Sequence, residues 1–171
     1  KGAIRAAWFR VFRGVPACYL LEIDTKAGRA KRWDRVVASF DSTLAAGTLV
    51  TGVVITHQGR RFFSVLDIQV YAGRPVEHLR RSERMTCIRA MLRRTSSANH
   101  SPLFLTFGLP PTAASRKQAS ALVPSLPYDV GWLHGVRDID TSLGTIISYN
   151  PPRAPVSSGR CVFLVTAMRD Q

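Results

Sequence analysis

Short β-prone runs broken by X-Gly pairs occupy the first half of the chain, and they constrain its fold more than any other feature. Residues 6–12 and 16–23 flank Arg13-Gly14-Val15, a sequence suited to a tight turn. Thr25-Lys26-Ala27-Gly28 makes the next turn. Residues 48–56 are β-branched and apolar, His57-Gln58-Gly59-Arg60 links them to residues 61–71, and Ala72-Gly73-Arg74-Pro75 ends that run. Strands joined by connections this short pair antiparallel with their neighbours, so the pattern predicts a meander.

Helical spacing first appears at Met85, Ile88, Met91 and Leu92, behind Ser82 as a predicted N-cap and Glu83 in the first turn. That stripe reads as core packing. Residues 95–101 read as a loop and residues 103–107 as a short strand. Pro110-Pro111-Thr112 is expected to open a second helix that runs to about Val123 and is stopped by Pro124 and Pro127. Strand signals return at 131–136, 144–149 and 160–166, with a Pro/Ser loop at 151–158. The order predicts an α+β protein, with antiparallel β-sheets flanked by two helices, in one domain spanning residues 1–171.

Charge is the second constraint. The chain has 171 residues and a formal net charge of +13, and all but four of its 24 lysines and arginines are arginine. With 46% hydrophobic residues it can still bury a core, so it is not a disordered basic tail. No apolar run is long enough for a transmembrane helix, and no basic amphipathic helix with a broad apolar face stands out, so a membrane partner is not expected. Such an excess of cations points to a polyanion. From Arg84 to Tyr128 there is no acidic residue, while the same span carries Arg84, Arg89, Arg93, Arg94, Arg116 and Lys117. It reads either as a polyanion-facing surface or as a solvated face.

Cys18, Cys87 and Cys161 are widely spaced and odd in number, and the histidines are scattered, so no zinc spacing exists and no metal site is expected. The thiols read as core residues of an intracellular protein in a reducing compartment, with cytoplasm, nucleus, organelle and viral particle all left open. The first acid is Glu22. An arginine-rich, acid-free start is also a feature of transit peptides. However, Trp8-Phe9-Arg10-Val11-Phe12 alternates in part like a strand, which favours folded structure there.

Several segments together resemble the nucleotidyltransferase domain of mRNA guanylyltransferases (capping enzymes), and more broadly the ATP-dependent ligase fold. Lys1-Gly2-Ala3-Ile4-Arg5 resembles the family's Lys-x-Asp-Gly-x-Arg nucleophile motif. Thr48 to Val53 sits where the family has Leu-Leu-Asp-Gly-Glu. Residues 61–68, followed by Tyr71-Ala72-Gly73-Arg74-Pro75-Val76, resemble an aromatic-rich strand ending in Asp and the turn behind it. Tyr128-Asp129-Val130-Gly131-Trp132-Leu133 resembles the Asp-Gly-Leu-Ile strand, and Ile146 to Pro152 the Leu-Lys-Trp-Lys-Pro motif. The Arg60 to Asp67 and Leu126 to Val130 segments are also similar in outline to the snurportin cap-binding domain, where this fold serves for binding alone.

The resemblance implies a base sandwiched between Phe63 and either Leu133 or Trp132. Strand alternation puts those last two on opposite faces, so only one can line a cleft. It also implies Asp67 as a retained family acid and Arg5 as a contact to ribose or phosphate. The departures remove the chemistry. Lys1 stands one place from the nucleophile position, Val53 replaces the metal-facing carboxylate, and Ser148 and Asn150 replace two phosphate-handling lysines. The chain also leaves no room for the family's C-terminal OB-fold. Three readings stay open. The first is a degenerate module that binds RNA, at a 5′ end or cap or within a ribonucleoprotein or viral assembly with other proteins. The second is an active guanylyltransferase fragment, which alone would require GTP and Mg. The third is a purely structural protein.

Overall fold

The computed structural model describes residues 4–24, 29–95, 103–126, 130, 132–136, 145–148 and 166–167. Strand β1 (Ile4–Phe12) turns through Arg13-Gly14 into β2 (Val15–Asp24), and β3 (Arg29–Val36) pairs antiparallel with β2. After a short 3-10 turn at Ser42–Ala45, β4 (Ala46–His57) turns through Gln58-Gly59 into β5 (Arg60–Tyr71), and Ala72-Gly73 leads into β6 (Arg74–Pro75). All three turns hold both central residues at positive φ: 50° and 77°, 48° and 73°, 47° and 82°. That geometry matches the right-handed twist of the flanking strands. Glycine takes the second position without strain in each case, while Arg13, Gln58 and Ala72 carry a Cβ into the left-handed region.

These strands form one sheet in the order β3-β2-β1-β4-β5-β6, antiparallel throughout. A seventh strand, β7 (Leu105–Gly108), lies parallel to β5 along residues 61–64. The predicted meander is therefore present, with two additions. Strand β3 has no signal in the sequence: Arg29, Lys31, Arg32 and Arg35 give it no apolar alternation. Its place at the sheet edge explains that composition, because edge strands carry charge on exposed positions. Strand β6 pairs with the end of β5 where the sequence predicts only a turn.

Helix α1 spans Arg81–Arg93. Glu83 reaches back to accept a hydrogen bond from the backbone N–H of Arg80 at 2.9 Å, so the helix starts ahead of the predicted cap at Ser82. The second helix is shorter than predicted. Residues Thr112–Ala113 form strand β8, and α2 runs from Arg116 to Leu122 with Ser115 as N-cap, its hydroxyl accepting from Gln118 N at 3.3 Å. Ser115 competes successfully with the Pro110-Pro111 signal because its side chain satisfies an otherwise orphaned amide. A second sheet, in the order β10-β9-β11-β8, comprises β8, β9 (Trp132–Gly135), β10 (Thr145–Ser148) and β11 (Thr166–Ala167). Strands β9 and β10 are antiparallel, whereas β11 runs parallel to β8 and β9. The expected turn at 25–28, the loops at 96–101 and 151–158 and the start of the 160–166 strand lie outside the described residues.

The larger sheet is covered on both faces. Ala7, Phe9, Cys18, Leu20, Val50, Phe63 and Val65 pack with Met85, Ile88 and Met91 of α1, as the apolar stripe predicts. Leu92 is half-buried against the same core. Val53, Ile55 and Leu66 face the other way and pack with Ala119 of α2, Val130 and Leu133. The described residues are thus mixed α and β, with a mostly antiparallel sheet and two α-helices. No helix among the described residues is long and apolar enough to cross a membrane. Burial pushes the Cys18 thiol up to about 12, so it packs as a small apolar residue, and the same cause raises Cys87.

Candidate nucleic-acid interface

The stripe that α1 buries begins with two arginines. Arg81 and Arg84 precede Met85, Ile88 and Met91 at helical spacing, which turns them inward onto β5 beside Asp67. Asp67 Oδ1 accepts from Arg81 Nη1 at 2.9 Å and from Arg84 Nε at 2.9 Å, and Oδ2 accepts from Arg84 Nη2 at 3.2 Å. The backbone N–H of Ile68 donates to the same carboxylate at 2.9 Å. Two further guanidinium donors reach carbonyls: Arg81 Nη2 that of Leu66, and Arg84 Nη1 that of Leu79. Burial pushes the Arg81 guanidinium below its usual value, with Asp67 pulling it back up.

This cluster revises two expectations. Arg84 is 0% exposed, so it is not one of the surface cations. Asp67 is 5% exposed and gives both carboxylate oxygens to arginines, so it serves as an internal ion-pair partner rather than as an acceptor on an open cleft wall.

The expected base sandwich is not assembled either. Phe63 is 0% exposed and packs against Phe107 at 5.4 Å between ring centroids, on the α1 side of the sheet. Leu133 is buried on the opposite side with Val53 and Leu66. The aromatic that shares the Leu133 side is Phe62, partly buried there. Strand alternation is the reason: one step along β5 exchanges the two faces. Trp132 lies on β9, and Ser148 on β10 opposite it. Lys1 and Asn150 fall outside the described residues. Val53, where the family has its metal-facing acid, is an apolar contact at 1% exposure. Arg5 lies across from Glu22 in the β1–β2 register, with its guanidinium 3.9 Å from that carboxylate. Half exposed, such a pair contributes about 0–1 kcal/mol.

The other cations of the acid-free span are exposed. Arg89 and Arg93 stand one helical turn apart on the outer side of α1, and Arg116 and Lys117 open α2. Among the described residues none of these four side chains has a hydrogen bond or ion pair, whereas the Arg94 side chain donates to Thr43 Oγ1 at 2.9 Å. They do not form one patch, because α1 and α2 cover opposite faces of the sheet.

A further cationic region has no signature in the sequence. On the face of β1–β2–β3 turned away from α1, the Arg10 guanidinium lies 4.4 Å over the Trp8 ring, and Arg13 lies 5.4 Å from the Phe12 ring. The Tyr19 ring is 5.7 Å from Trp33 and 6.2 Å from Phe12. These residues are distant in sequence, and only the pairing of three strands brings them together. No protein-family model matches the chain, and no curated protein matches it.

Proposed function

We propose that this chain is a non-catalytic RNA-binding module, built on a scaffold similar to the nucleotidyltransferase domain of capping enzymes. The observation that carries the reading is the set of exposed cations without carboxylate partners among the described residues, Arg89, Arg93, Arg116 and Lys117, in a chain of net charge +13. No carboxylate among the described residues neutralises these cations, and the planar fork of a guanidinium suits bidentate phosphate contacts. The residues at the family's chemical positions support binding without catalysis. Val53 packs in the core, and Asp67 is neutralised by two arginines. Neither is placed to hold a metal or polarise a phosphate.

The test is a variant with Arg89, Arg93, Arg116 and Lys117 all replaced by glutamine. All four are exposed, so the unfolding midpoint should stay near that of the parent. RNA affinity should fall, and the slope of log K against log salt should become shallower by roughly 0.7 for each phosphate no longer neutralised. Unchanged affinity and slope would contradict the reading.

A further inference from the structure

We propose that the outer face of β1–β2–β3 is a stacking platform for single-stranded RNA, centred on Trp33. The inference rests on the reading that the chain binds RNA, and it assigns that binding a site the exposed helix cations do not include. Trp33 is 57% exposed and Phe12 40% exposed, although indole and phenyl rings are ordinarily withdrawn from water. Tyr19 lies between them, 9% exposed, and holds both rings in place at 5.7 and 6.2 Å. The aromatic row is therefore supported from within the sheet and open on its outer side.

Charge selects the occupant. Arg10 and Arg13 already lie over rings of this face, and Arg35 pairs with Tyr19 across the β2–β3 register. Lys31 is exposed on the same edge strand at the point where the β2–β3 register shifts, and beyond it Arg29 pairs with Asp24 on the other face. Asp34, the acid in β3, pairs with Arg32 at 3.1 Å. A protein partner seeking an apolar face would meet several guanidiniums that it must desolvate. A single strand of RNA instead offers what the surface complements: bases with π faces for the rings and phosphates for the arginines. A duplex keeps its bases stacked internally and can use only the charges.

The experiment compares the parent chain with Trp33→Ala and Trp33→Phe, using an oligouridylate, an RNA duplex and an oligothymidylate. Unfolding midpoints establish that the variants remain folded, as the exposure of Trp33 leads one to expect. Trp33→Ala should weaken oligouridylate binding by about 5- to 150-fold, the range for one base stacked on one ring, and leave duplex binding unchanged. Trp33→Phe should recover most of that affinity. If the parent binds oligouridylate and duplex alike and Trp33→Ala changes neither, the platform is wrong while the RNA reading stands. If the parent binds none of the three, the RNA reading itself fails and the platform with it. Tighter binding of oligothymidylate than of oligouridylate would overturn RNA as the occupant.

Discussion

Asp67→Ala is expected to cost about 3–5 kcal/mol, the usual penalty for stripping one partner from a buried ion pair. Arg81 and Arg84 are 4% and 0% exposed, and Asp67 supplies the negative charge of the cluster they form with it. Removing the carboxylate leaves two guanidiniums side by side in the core, repelling one another and cut off from water. Their carbonyl partners at Leu66 and Leu79 would remain, but those satisfy hydrogen bonds without neutralising charge. Against a typical total stability of about 5–15 kcal/mol, the loss is a large fraction of the whole, and toward the lower end of that range it leaves much of the population unfolded. The urea midpoint measures it. Asp67→Asn should be nearly as severe, because the amide keeps the shape and removes the charge. A drop below about 1 kcal/mol for Asp67→Ala would place the cluster in contact with water, contrary to its burial in the core.

The second large effect is expected at Gly52. A Cβ there would stand 2.3 Å from the Ser64 carbonyl oxygen and 2.4 Å from Cε1 of Phe63. The first obstacle is backbone in the middle of a seven-stranded sheet, and the second is a ring enclosed on all sides. Neither can give way cheaply, so Gly52→Ala should destabilise by about 3 kcal/mol, near the upper end for overpacking. Gly108→Ala provides the internal comparison. Nothing lies within 4 Å of a Cβ at that position, and the substitution should be nearly silent. Equal unfolding midpoints for the two variants would contradict the packing of Phe63 over Gly52. The same packing explains why Phe63 does not stack on a base: its ring fills the space that the missing Gly52 side chain leaves.

Local chemistry makes the hairpins legible from the residues alone. Arg13-Gly14, Gln58-Gly59 and Ala72-Gly73 each offer glycine where the turn needs positive φ, and the strands on either side follow. The stripe of Met85, Ile88 and Met91 is legible for the same reason, since 3.6-residue periodicity is a property of the segment itself. What escapes such reading depends on partners far away in the chain. Arg81 and Arg84 continue the buried stripe, yet as arginines they read as surface until Asp67 is known to lie beneath them. Strand β3 is paired by β2 rather than by any apolar pattern of its own. Phe63 and Leu133 read as two walls of one cleft, but the face each one takes depends on strand register, which the β-bulges along β4 and β5 further disturb. The row of Phe12, Tyr19 and Trp33 draws one residue from each of three strands, so no sequence window contains it.

Exposed arginine on this scaffold is proposed to hold RNA. That role is tested most directly by the affinity of the unaltered chain for single-stranded RNA as salt is raised from about 50 to about 200 mM. With at least four phosphate contacts, log K should fall against log salt with a slope of about −3, and so by about 50-fold across that range. Affinity that stays flat as salt rises, or no binding at the lowest salt, would contradict it.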